Sequence, residues 1–123
     1  MGVKPHKKSH YGSKEHKLKC SVVGMNYRVT IPEQRDLAED APHLAVLERE
    51  PLNMYDRNAV KVLIGLHGDH HIGYVPRDVA ALLAPKLDSG DVQIVTAWVT
   101  EIDADTGVGE LLVTYRKKIR NHP

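Results

Sequence analysis

Four consecutive side chains, Tyr55, Asp56, Arg57 and Asn58, set an aromatic ring, a carboxylate, a cation and an amide side by side in a polar, turn-rich loop. That set can read a nucleotide: the ring stacks a base, the carboxylate accepts from a hydroxyl, and the cation meets a phosphate. A second aromatic and a second cation, Tyr74 and Arg77, flank Pro76 further on. Spacing alone leaves another account open, in which Asp56 and Asn58 hold their own turn backbone and both tyrosines are ordinary strand residues.

Other chemistries find less support. His67, Asp69, His70 and His71 put four candidate metal ligands within five residues, with His67, Asp69 and His71 the best of them. Adjacent strand residues point to opposite faces, however, and metal sites draw their ligands from separated elements, so a solvated turn is the better account. His6, His10 and His16 are scattered through a lysine-rich start that reads as a solvated tail. The single cysteine, Cys20, excludes an internal disulfide and lies beside Ser21, Val22 and Val23 as a half-buried strand residue would. No phosphate-binding glycine loop and no Gly-x-Ser-x-Gly elbow occurs. The expectation is a protein with no catalytic residues and no cofactor.

Nucleic acid remains. Tyr27, Tyr55 and Tyr74 could stack bases, while Arg28, Arg57, Lys61 and Arg77 could meet phosphates. The net charge of +1 hides an asymmetry: residues 1–20 hold six lysines against Glu15, residues 116–120 hold four cations, and the body between is acidic. An acidic body resists binding that depends on many phosphates, so a pocket for a few nucleotides fits better than a long groove. The basic ends suit either contact with a polyanion or simple solubility.

These residues need a scaffold, and 123 residues with 41% hydrophobic and 27% charged content make one globular domain. No run reaches the ~20 apolar residues of a spanning helix, and the start lacks the apolar stretch of a signal peptide. An intracellular, cytoplasmic protein with no membrane contact is expected, nucleoid-associated in a bacterium. Residues 1–19 read as a flexible basic tail, 20–117 as the domain and 118–123 as a second basic tail. Within the domain, strands are expected at Cys20–Met25, His43–Glu48, Ala59–Gly65, His70–Val75, Val92–Ile102 and Glu110–Tyr115. The stretch Asn26–Ile31 either continues the first strand or bends away at Gly24, and Pro32–Pro42 reads as a loop with one helical turn. Arg77–Leu87 is the clearest helix, with Val79, Leu82, Leu83 and Leu87 near the 3.6-residue period and Pro85 expected to kink its last turn. The sum is a mainly β fold: a small, strongly bent antiparallel sheet closing toward a barrel, with a helix over one end.

Three segments, VVGMNYR at 22–28, LEREPLNMYDRNAVKV at 47–62 and HIGYVPRDVAALLAPKLDSG at 71–90, together resemble the HIRAN domain. This family occurs in SNF2-type repair ATPases and as a free-standing bacterial or phage domain. Helicase motifs are not found, so the resemblance covers the binding domain alone. It implies a six-stranded OB-like or SH3-like barrel with one or two helices, binding the free 3′ end of single-stranded DNA in repair or at stalled forks. On that resemblance Tyr27 matches a base-stacking aromatic, Tyr55 and Asp56 match the pair that holds the terminal nucleotide and its 3′ hydroxyl, and Tyr74 and Arg77 line the same pocket. Arg28, Asn58 and Lys61 complete the expected nucleic-acid-binding set. A protein partner such as a helicase or nuclease belongs to the same expectation.

Asp56 also has a physical reason for such a role, since a carboxylate accepts from a chain-end hydroxyl but repels a phosphodiester. This sequence departs from the family at Asn26, where DNA-binding members carry an arginine, and at Tyr74, where at least one carries a histidine. Arg28, two residues along, would face the same side of an extended strand and substitute for the missing cation. The competing reading is a protein-interaction domain with no nucleic-acid ligand, in which the Tyr55–Asn58 loop serves only as structure.

Overall fold

Alternating inward and outward side chains run through most of the chain, and they fold into one curled sheet. The computed structural model describes residues 10–120. Six strands and two helices follow in order: β1 (His16–Val22), α1 (Ile31–Asp40), β2 (His43–Arg49), β3 (Val60–Ile64), β4 (His70–Tyr74), α2 (Arg77–Ser89), β5 (Val92–Asp103) and β6 (Val108–Lys117). A single 3-10 turn, Met25–Tyr27, separates β1 from α1. All neighbouring strands are antiparallel, in the order β1-β6-β5-β2-β3-β4.

The sheet bends into a half-barrel. Register shifts in β5 near Val95 and Thr100, and between β3 and β4 near Val62, add the local twist that a regular ladder lacks. The two edge strands therefore approach each other at one end. There Val23, just past β1, exchanges two backbone hydrogen bonds of 2.9 Å with Tyr74 of β4. Gly73 makes this closure sterically open, because a Cβ at that position would stand 2.5 Å from the Val23 carbonyl oxygen. Inside the curl lie Val22, Val60, Val62, Ile72, Val99, Leu111 and Val113, all fully or almost fully buried. Ala80, Leu83 and Ala84 of α2 close one end of this core.

Several elements depart from the sequence expectation. The segment expected as a loop, Pro32–Pro42, is mostly the ten-residue helix α1. Its start carries the signals of a helix N-terminus: Thr30 Oγ1 accepts from the Glu33 N–H at 3.3 Å, and Pro32 sits in the first turn. Of the two courses expected after Gly24, the chain takes the bend away from the sheet, and β1 ends at Val22 instead of Met25. β1 itself begins at His16, and Tyr11 bridges to Lys118, so part of the expected basic tail lies in the sheet. Its remainder, residues 1–9 with His6, falls outside the described residues. Helix α2 runs past Pro85 to Ser89; Pro85 and Ala81 both lie on the exposed face, where the carbonyl deprived of its N–H can turn to water. Leu82, expected on the packed stripe, is 72% exposed.

Candidate functional site

The loop between β2 and β3 owes its shape to two side chains four residues apart, Arg49 and Asn53. Its neck is closed by the Glu50 N–H donating to the Ala59 carbonyl at 2.9 Å. Arg49 straps the outgoing limb, donating to the Ala59 carbonyl at 2.6 Å and the Arg57 carbonyl at 2.8 Å, and pairs with Asp88 of α2 at 2.9 Å. Asn53 organises the tip. Its Oδ1 accepts from the N–H groups of Tyr55 (2.9 Å) and Asp56 (3.0 Å), and its Nδ2 donates to Glu50 Oε1. Asp56 then accepts from the Asn58 N–H at 2.9 Å, which sets the chain up for β3.

A cleft of about 390 Å³ opens between this tip, the β1–β4 closure and the start of α2. Tyr55, Asp56, Tyr74 and Arg77 line it together with Val23, Asn53, Ala59 and Val75. Arg77 Nη2 donates to the Tyr55 carbonyl at 3.0 Å, and its Nε lies 4.0 Å from Asp56 Oδ2. The Asp56 carboxylate is thus divided: one oxygen serves its own turn, the other faces Arg77 on the cleft wall. Both sequence accounts of Asp56, turn former and pocket acceptor, are compatible with this geometry. Tyr55 is 85% exposed at the rim, with its face free for a planar ligand.

Beneath the cleft, Tyr74 is fixed by Glu50. Its hydroxyl donates to Glu50 Oε1 at 2.9 Å, while Lys61 Nζ lies 3.3 Å from Glu50 Oε2. The donors around Glu50, Asn53 foremost and then Tyr74 and Lys61, hold its carboxyl below the usual range against the opposing effect of burial. Burial first, and the Glu50 carboxylate second, push the Tyr74 phenol above its ordinary value, so the hydroxyl remains a donor.

The other expected site residues stand apart from this lining. Tyr27, 93% exposed, projects from the turn that starts at Gly24 beside the Tyr74 ring. Arg28 donates to the His71 carbonyl at 3.2 Å. Lys61 is occupied by Glu50 and, at 3.9 Å, Glu48. Asn58 contributes its backbone N–H to Asp56. Asn26 is exposed and bridges two segments, donating to the Thr106 carbonyl at 3.1 Å and accepting from the buried Gln34 at 3.0 Å. It is packed so closely on Gly107 that no side chain fits there.

Among the described residues no three His, Cys, Asp or Glu side chains gather for a metal, and His71 instead bonds the Gly73 carbonyl at 2.8 Å and meets the Tyr74 ring edge-on. Cys20 is half-buried, its thiol pushed up to about 11 by burial first and by Asp78 second. Asn53 and Glu50 are the residues shaping the cleft that residue types alone did not single out. Their spacing, an acidic residue three before an asparagine that itself stands two before Tyr55, is the signal of a side-chain-capped turn.

The HIRAN domain family profile matches residues 16–116, a span that includes both helices and all of the six strands but the last residue of β6. The chain is a HIRAN domain. It is 34% identical over 77 residues to helicase-like transcription factor of Oryctolagus cuniculus, which covers 63% of this chain and 7% of that protein. It is 46% identical over 48 residues to a putative SWI/SNF-related chromatin regulator, subfamily A member 3-like 1, of Arabidopsis thaliana, covering 39% of this chain and 5% of the relative. This HIRAN domain thus spans only a small part of the curated relatives it matches. Its fold is similar to the crystal structure of the HIRAN domain of human HLTF, with a TM-score of 0.65 at 26% identity over 83% of this chain and 76% of that one. A Lactobacillus plantarum protein is similar over its whole length and 86% of this chain, at 25% identity and a TM-score of 0.63. The NMR structure of the HLTF HIRAN domain in its DNA-bound conformation is similar at a TM-score of 0.58 and 27% identity, over 83% of this chain and 75% of that one. Among the described residues of this HIRAN domain, no helix is long and apolar enough to cross a membrane.

Proposed function

We propose that this HIRAN domain is a non-catalytic module that binds the free 3′ end of single-stranded DNA, in repair or in the processing of stalled forks. The observation that carries the reading is the cleft in which Tyr55, Tyr74, Asp56 and Arg77 converge, a stacking surface beside one carboxylate oxygen and one exposed cation. The terminal base stacks against Tyr55 or Tyr74, Asp56 Oδ2 accepts from the 3′ hydroxyl, and Arg77, 78% exposed, takes the phosphate on the 5′ side. A 3′ phosphate would place two negative groups together. Support from outside the chain comes from the DNA-bound conformation of the related HLTF domain.

The test is titration of labelled oligonucleotides carrying a free or a phosphorylated 3′ end. Tighter binding to the free hydroxyl, a preference lost in Asp56→Asn, is the expected result, with Tyr55→Ala weakening both ends; equal affinity for both ends in the unmodified protein removes the role given to Asp56.

A second reading, a protein-docking domain, draws on the outer face of the sheet. There Leu44 of β2, 56% exposed, pairs with Trp98 of β5, 37% exposed. Absence of any oligonucleotide binding would favour it.

A further inference from the structure

Helix α2 connects the cleft to the opposite end of the molecule, where the basic C-terminal stretch folds back. Lys86, in its last turn, and Lys117, Lys118 and Arg120 line a small cavity of about 190 Å³ together with Asp91 and Val92. The four cations are exposed, and none takes part in an ion pair among the described residues. Lys118 is held in place through its backbone, its N–H donating to the Asp91 carbonyl at 2.8 Å. Lys117 is the register partner of Val92 at the end of β6. The position of the charges is therefore set by the sheet.

A second concavity runs from this patch along α2 toward the helix end that carries the cleft. A groove of about 270 Å³ runs beside α2, lined by Leu18, Asp78, Leu82, Lys86, Val92 and Tyr115 among others. Asp78 stands next to Arg77 of the cleft, while Lys86 and Val92 line both the groove and the basic cavity. The nine residues from Arg77 to Lys86 span about 14 Å at the helical rise of 1.5 Å per residue. The groove is mostly apolar and its one aromatic, Tyr115, is stacked on His16 at 5.3 Å, a surface suited to bases. The patch sets four cations against the single carboxylate of Asp91, a balance suited to phosphates.

We infer that the strand whose 3′ terminus occupies the cleft continues along α2, and that Lys86, Lys117, Lys118 and Arg120 hold its phosphates a few nucleotides from the end. This extension rests on the reading of the cleft given above. It also gives a use to the basic end of a chain whose body is acidic: attraction is confined to one spot and a few phosphates.

The experiment is a length series of oligothymidylates with free 3′ hydroxyls, titrated into the full chain and into Lys117→Gln/Lys118→Gln/Arg120→Gln. The unmodified protein should bind a ten-nucleotide strand roughly tenfold tighter than a three-nucleotide one, with a salt slope steeper by about 3 from four added contacts. The triple variant should lose most of that gain and that slope while binding the three-nucleotide strand as before. Lys86→Gln, on the other element, should lose a share of it. No length gain in the unmodified protein, or a gain that survives in the triple variant, overturns the inference. Failure of the cleft reading looks different: the 3′-phosphorylated three-nucleotide strand would bind as well as the free one.

Discussion

The Tyr74 hydroxyl reaches back across the floor of the cleft to Glu50, donating to Oε1 at 2.9 Å over a sequence separation of 24 residues. Glu50 is the root of the loop that carries Tyr55 and Asp56, and Tyr74 is the residue at which the two edge strands meet. One hydrogen bond therefore ties the barrel closure to the binding loop.

Glu50→Gln should weaken this tie and cost about 1 kcal/mol at pH 7, measured by urea denaturation. The effect should depend on pH in a defined direction. Because the Glu50 carboxyl is held below its ordinary value of 4.5, its ionised form adds stability above that value, and the contribution is lost as pH falls below it. Between pH 7 and pH 3 the unmodified protein should lose more stability than Glu50→Gln. Parallel loss in both proteins would show that Glu50 is not the group responsible.

Asn53→Ala removes the acceptor for two N–H groups and the donor to Glu50. A loss of about 1–2 kcal/mol in folding stability is expected. Oligonucleotide affinity should fall as well, although Asn53 need not touch the ligand, because Tyr55 and Asp56 lose their fixed positions.

Asp56→Asn separates the two uses of that side chain. The amide oxygen can still accept from the Asn58 N–H, so the turn and the melting temperature should be kept. Discrimination between a 3′ hydroxyl and a 3′ phosphate should shrink toward unity. Tyr55→Ala should instead weaken both ends alike, by about 1–3 kcal/mol for a lost stacking contact.

Gly73→Ala should open the barrel where β1 meets β4. The added carbon would meet the Val23 carbonyl oxygen and also the Val22 side chain, at 2.8 Å, so backbone must move. A destabilisation of about 3 kcal/mol is expected, with faster amide exchange at Val23 and Tyr74. Unchanged exchange at those two amides would mean that the closure tolerates the methyl group.

Cys20 should react with a thiol reagent at pH 8 at least about tenfold more slowly than in the denatured chain, since burial holds its thiol near 11. Rapid labelling of the folded protein would contradict the placement of this side chain on the inner side of β1.

What residue order determined by itself was local. Val60 to Ile64 and His70 to Tyr74 declare a hairpin through β-branched content and an intervening turn, and Val92 to Asp103 with Val108 to Lys117 declare another around a Gly107 turn. The stripe containing Leu83 and Leu87 declares α2 within two residues of its end. These signals depend on neighbours a few positions away, which a single chain displays directly. The helix α1 was legible only in its cap, Thr30 with Glu33, because its body is polar and packs on the core through little more than Leu37, Ala38 and Gln34. Tertiary structure alone decided the site. That Tyr74 and Arg77 face Tyr55 and Asp56, that Asn26 reaches the Thr106 carbonyl, and that Lys86 joins Lys117 and Arg120 all follow from how far the sheet bends. That bend is the sum of bulges, a glycine contact and side-chain packing between residues 20–80 apart, and no window of sequence contains it.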